Sequence, residues 1–122
     1  GALDPYRQSI RDEVRYAESK KLAGAEGFFT QPIFDERLLG IYLDQLKDVN
    51  IFVGISPVLN QHSLNYWSIR NQVPIPAGFH TTMEDNIKVG KKIIKLSKKN
   101  KSSLYIMPMR TPIFPYLERL LS

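Results

Sequence analysis

The chain has 122 residues, room for one domain, and 43% of them are hydrophobic, enough to bury a core. No apolar run is long enough to cross a membrane and no signal-peptide pattern opens the chain, so a cytoplasmic protein is expected; the absence of cysteine excludes disulfides and thiolate metal sites. The net charge of +5 makes nucleic-acid binding a class to be judged by where the charge falls.

In chain order, Gly1–Leu3 fits the last residues of a strand. Asp4-Pro5 suits a helix N-cap followed by proline at the first helical position, and Ser9-Ile10-Arg11-Asp12 is a second capping candidate slightly later. From Ile10, Val14, Ala17 and Lys21 share one helical face, and Gly24 offers a residue free of Cβ strain to end that helix. Gly27–Gln31 reads as a buried strand with Thr30 and Gln31 at its carboxyl end, closed by Pro32, which has no N–H for the ladder. Asp35 then caps a helix from about Glu36 to Lys47, with an apolar stripe at Leu38, Leu39, Tyr42, Leu43 and Leu46.

Ile51–Ile55 is the next strand, ending in Ser56-Pro57. Asn60 caps a helix expected to reach about Asn71, with Leu64, Trp67 and Ile69 as its inward-facing residues. The two prolines of Val73–Pro76 restrict it to an edge or an irregular connection. Thr82-Met83-Glu84-Asp85 is a capping signature for a long helix to Lys99. Ser103–Met107 reads as the last strand and Pro112–Leu121 as a closing amphipathic helix. Strands alternating with helices imply right-handed crossovers and a parallel sheet.

The stretch that organises the rest is Lys20-Lys21-Leu22-Ala23-Gly24-Ala25, then Phe29-Thr30-Gln31-Pro32 and Phe34-Asp35. It resembles, without gaps, the segment before and along the sixth barrel strand of methylenetetrahydrofolate reductases. Phe52-Val53-Gly54-Ile55-Ser56-Pro57-Val58 is similar to the family's seventh-strand segment, with Val53 where the family has proline. Val73-Pro74-Ile75-Pro76 and Tyr105-Ile106-Met107-Pro108-Met109-Arg110 extend the likeness to the region of the eighth strand.

The resemblance implies an α/β fold of parallel (β/α) units: residues 1–122 as a single partial domain, the C-terminal half of a TIM (β/α)8 barrel. A whole barrel takes eight strands and about 250 residues. It also implies a flavin-dependent oxidoreductase that passes a hydride from NAD(P)H through FAD to methylenetetrahydrofolate, in one-carbon metabolism and methionine biosynthesis. By motif position, Lys20 and Glu13 correspond to flavin contacts, Gln31 to a glutamine on the folate and beside the nicotinamide, Arg110 to an arginine near the folate, and Trp67 to an aromatic stacked on a ligand. Ser63 stands where some relatives carry a folate-binding glutamine. The family's acidic group that polarises the folate lies on the first strand, outside these residues.

The isolated chain is therefore expected to be inactive, pairing with the N-terminal half of the barrel or with a second copy of itself. The alternative is a non-catalytic half-barrel that binds a ligand or partner without turnover. Phe28 or Phe29, Phe52, Val53, Tyr105 and Ile106 are expected at the opening left by the absent half.

Each candidate has an ordinary reading too. Gln31 can satisfy loop backbone, Lys20 can be a solvated lysine paired with Glu13 or Glu18, Arg110 can pair with a carboxylate, and Trp67 can be core. His62 and His80 lack metal-ligand spacing. The lysines at 88, 91, 92, 95, 98, 99 and 101 hold most of the positive charge on the outer face of one helix. No aromatic lies among them to stack bases, so a solvated face is expected and nucleic acid is not an expected partner; weak attraction to polyanions such as polyglutamylated folate or nucleic acid stays open.

Overall fold

Four side chains and one glycine set the helix boundaries. In the computed structural model, which describes residues 1–122, Ser9 Oγ accepts from Asp12 N (3.1 Å), Asp35 from Arg37 N, Asn60 from Ser63 N and Thr82 from Asp85 N. Each satisfies an N–H that the first turn cannot. Of the two candidate starts of the first helix, Ser9 is the cap. Asp4 accepts from Tyr6 N (3.0 Å) in a local turn instead. Gly24 follows the helix with φ of 109°, a left-handed value that a side chain would strain.

The elements are β1 (Ala2–Leu3), α1 (Ile10–Leu22), β2 (Gly27–Pro32), α2 (Glu36–Gln45), β3 (Asn50–Ile55), α3 (Gln61–Asn65), α4 (Met83–Lys99), β4 (Ser103–Ile106) and α5 (Ile113–Leu120). The helix expected to run from Asn60 to Asn71 stays α-helical only to Asn65 and widens into a π-helical turn over Tyr66–Arg70, which buries Trp67 but turns Ile69 outward into solvent. Val73–Pro76 is irregular, as its prolines require.

The four strands form one parallel sheet in the order β1-β2-β3-β4. Strand alternation sorts its residues onto two faces. Leu3, Phe28, Ile51, Val53 and Ile55 join the main core with side chains from α1, α2, α4 and α5. On the other face Phe29 pairs with Phe52, and the helices leave that face uncovered: Phe29 is 50% exposed. Phe29 stacks on Phe52 with centroids 4.5 Å apart and meets Tyr105 edge-on at 5.3 Å. Of the residues expected at the opening, Phe29, Phe52 and Tyr105 are there, whereas Phe28 and Val53 point into the helix-covered core. Ile106 packs against that core as well.

A second, smaller cluster of Phe34, Val58, Trp67 and Val73 lies under the loops at the carboxyl end of the sheet.

Gly54 is the tightest point of the sheet. A Cβ there would fall 2.8 Å from Met107 Cε, 3.0 Å from the Tyr105 hydroxyl and 3.1 Å from Thr30 O. Gly54→Ala is expected to cost about 1–3 kcal/mol by overpacking, read as a lower urea midpoint; an unchanged midpoint would show that β3 and β4 are less closely joined than described here.

Candidate functional site

Polar side chains replace backbone partners at the carboxyl end of β2. Pairing runs regularly from Gly27 to Phe29, then shifts before Pro32, which faces Gly54. The Thr30 hydroxyl fills the gap: Oγ1 accepts from Gly54 N (2.9 Å) and donates to Gln31 O (2.7 Å). Thr30 O is in turn bonded by the Tyr105 hydroxyl, reaching across β3. Burial pushes the Tyr105 pKa up, so the phenol stays a donor at neutral pH. The Tyr6 hydroxyl closes the strand by donating to Pro32 O (2.6 Å). Register irregularities of this kind re-aim side chains beside sites.

Gln31 alternates onto the same face as Phe29 and is half-buried. Its side-chain amide has no hydrogen-bond partner within the chain, leaving one acceptor and two donor hydrogens at the edge of the Phe29–Phe52–Tyr105 cluster. Arg110 follows β4 at the same end of the sheet, exposed and without an ion pair. Met109 and Arg110 both have left-handed φ values, 49° and 64°, in a turn closed by Thr111 N donating to Pro108 O (2.9 Å). Such conformations are uncommon for residues with a Cβ and are held by their surroundings.

Trp67 lies elsewhere. It is 4% exposed within the smaller cluster, and its indole N–H donates to Ser56 Oγ (3.1 Å), which donates to Met107 O (2.8 Å). The ring thus ties the π-turn to the ends of β3 and β4 and presents no open face for stacking. Ser63 is buried in the first turn of α3.

Glu13 and Lys20 sit together on α1, both tied to β1 and the loop after it. The Glu13 carboxylate is fully buried and receives four hydrogen bonds: from Arg7 Nε and Nη2 (2.8 Å each), Gln8 Nε2 (2.7 Å) and Asp4 N (3.0 Å). Burial pushes its pKa up, but the bonds from Arg7, Gln8 and Asp4 outweigh that and hold it below the ordinary 4.5. Lys20 Nζ donates to Ala2 O (3.0 Å) and lies 4.0 Å over the Tyr16 ring, which also carries the Arg7 guanidinium at 4.9 Å.

The structure thus brings Gln31 to the aromatic face, puts Arg110 at the same sheet end, and separates Glu13, Lys20 and Trp67 from both by their own packing. One residue that sequence reasoning missed is Asn86. Its buried amide accepts from Val58 N and donates to Val58 O and Thr82 O, each at 2.7 Å, clamping the loop after β3 to α4. Only the polarity of an asparagine one turn inside an apolar helix face could have signalled it. A groove of about 460 Å³ also opens between the starts of α2 and α4, bounded by Phe34, Arg37, Phe79 and Lys88, and none of the five candidates lines it.

No protein-family model and no curated protein sequence matches the chain. Among solved structures, an uncharacterized protein from Clostridium thermocellum that binds two copies of 5-methyl-5,6,7,8-tetrahydrofolic acid is similar in fold, with a TM-score of 0.64 at 14% identity. The likeness covers 98% of this chain and 51% of that one, so the present chain spans about half its length.

The Glu13 network gives a pH prediction. A carboxyl held low in the folded state stabilises fully above its unfolded pKa, and that contribution is lost as pH falls through the folded value. Melting temperature is therefore expected to drop below about pH 4, and Glu13→Gln should lower stability at pH 7 by about 1–3 kcal/mol, the worth of charge-assisted hydrogen bonds whose cationic partner, Arg7, stays partly in water, while flattening the acid-side slope. A variant with the wild-type melting temperature at pH 7 would show that the carboxylate is replaceable.

Proposed function

We propose that the chain is the C-terminal half of a (β/α)8 barrel resembling methylenetetrahydrofolate reductase, and that it binds a reduced folate at the carboxyl end of its sheet. The observation that carries this reading is the pairing of an uncovered aromatic face with the free amide of Gln31. A pterin is a flat heteroaromatic whose edge alternates donors and acceptors. Phe29, Phe52 and Tyr105 supply apolar and edge-on aromatic contact, and the Gln31 amide complements that edge. Arg110, with its planar fork, suits the glutamyl carboxylate. The folate-binding protein of similar fold and twice the length supports both the ligand class and the half-barrel.

On this reading the complete enzyme transfers a hydride from NAD(P)H to methylenetetrahydrofolate, and bound FAD would supply the two-electron redox chemistry that links them. Lys20 fits a flavin contact, since an ammonium has three donors and only one goes to Ala2 O. Glu13 does not fit direct contact, because both its oxygens are filled from within the chain. Its part is to hold the loop between β1 and α1 in place. Turnover requires an acid supplied from outside these residues. A non-catalytic half-barrel that binds folate without turnover is the second reading, favoured by the internal commitment of Glu13 and Trp67.

Two measurements test the proposal. Gln31→Ala should leave the melting temperature unchanged, because the amide bonds nothing in the fold, and should weaken 5-methyltetrahydrofolate binding by calorimetry about tenfold, the worth of a hydrogen bond or two. Loss of stability with unchanged affinity would make Gln31 a structural amide. The uncovered face and the unpaired edges of β1 and β4 also lead us to expect that the chain sediments above its own 14.0 kDa at micromolar concentration, as a dimer or larger. A cooperative monomer would sink the half-barrel.

A further inference from the structure

Charge is segregated along this chain. Residues 88–110 hold eight of its 17 basic side chains and none of its 12 acidic ones, while everything else carries nine basic against twelve acidic. A body of net −3 thus bears a segment of net +8. Seven of the eight are lysines on or just after α4, at 88, 91, 92, 95, 98, 99 and 101, and all are exposed. Only Lys92 meets a carboxylate, that of Glu36 at 3.7 Å; Lys91 reaches the carbonyl of Ser122 at 3.5 Å. The spacing of 88, 92, 95 and 99 aligns four ammonium groups along about 16 Å of one helix face. Like charges at these spacings oppose helix formation, and the carboxylates of Glu36 and Asp85 near Lys92 and Lys88 offset only part of that repulsion.

We infer that the outer face of α4 is a sequence-independent docking surface for the phosphate backbone of nucleic acid. Lysine presents a point charge to a phosphate without reading a base, and the lack of aromatics on this face fits backbone contact without stacking. An anionic membrane fits less well. Surface-lying helices sink an apolar face into the lipid, and here Ile87 and Ile93 of α4 are buried in the core. The surface is independent of the folate reading. It also stays accessible if the chain self-associates through the uncovered sheet face, because α4 packs on the opposite side.

The test uses the 122-residue chain and a fluorescein-labelled 20-base-pair DNA duplex, followed by anisotropy between 50 and 300 mM salt. The expected result is binding at 50 mM with a slope of log K against log salt near −3, from three to four phosphate contacts at about 0.9 each. Lys88→Glu/Lys92→Glu/Lys95→Glu should lose at least tenfold at 50 mM while keeping a cooperative melt; Lys88→Gln/Lys92→Gln/Lys95→Gln replaces it if the reversed variant misfolds. Arg11→Glu/Arg15→Glu/Arg70→Glu changes net charge equally away from α4 and should bind within threefold of the wild type. The inference is overturned by no binding at 50 mM, by equal losses in the two reversed variants, or by tighter association with phosphatidylserine vesicles than with the duplex at equal salt.

Discussion

A parallel strand cannot be reached by a tight turn, and that constraint governs this molecule. Each of the three strand-to-strand connections here carries at least one helix, and α1, α2, α4 and α5 pack on one face of the sheet. The result is a sheet dry on one side and open on the other. Alternation then assigns Phe28 and Val53 to the core and Phe29 and Phe52 to the opening. Burying a side chain of this size is worth about 1.5–3 kcal/mol. Three aromatics on an uncovered face are therefore a substantial fraction of the roughly 5–15 kcal/mol by which a domain is stabilised. Stacking Phe29 on Phe52 and turning Tyr105 against them recovers part of that burial within the chain.

The carboxyl end of the sheet obeys a second rule, that backbone polar groups leaving a ladder must find other partners. Here side chains provide them. The Thr30 hydroxyl replaces a strand for Gly54 N, the Tyr105 hydroxyl serves Thr30 O, Ser56 serves Met107 O, and Asn86 serves both polar groups of Val58. These bonds link β2, β3, β4 and α4 through irregular segments, giving loops the definition a binding site needs. Ser97 Oγ is the one buried side-chain polar atom without a partner.

Local signals in the sequence carried the element order well because they act over three or four residues. Ser9, Asp35, Asn60 and Thr82 cap the helices, and Gly24 ends one with a left-handed φ. Asp4-Pro5 shows the limit of such signals: the residues suit a cap, yet a turn to Tyr6 N and the burial of Glu13 place the helix five residues later. The π-turn at Tyr66–Arg70 was not legible, since it coincides with the indole N–H bond to Ser56, eleven residues away. The candidate site divides on the same line. The placement of Gln31 at a strand end was readable, whereas the enclosure of Glu13 and Trp67 depends on partners that no spacing specifies.

That division bears on how a motif residue should be understood. Glu13 has no free lone-pair direction once Arg7, Gln8 and Asp4 N are bound, and Trp67 has no free ring face once the loops close over it. A ligand at this end of the sheet can be recognised only by groups the fold leaves unused, and Gln31 and Arg110 are the candidates that remain so. The buried pair of roles is still tied to binding through geometry. Trp67 fixes Ser56 and through it Met107, just before the left-handed Met109-Arg110 turn, while Glu13 fixes the loop that carries Tyr6, whose hydroxyl holds Pro32 next to Gln31. On the proposed folate reading, removing either side chain should thus displace Gln31 or Arg110 without removing any contact to the ligand, so a loss of affinity on substitution identifies a positioning role only when stability has been measured alongside it.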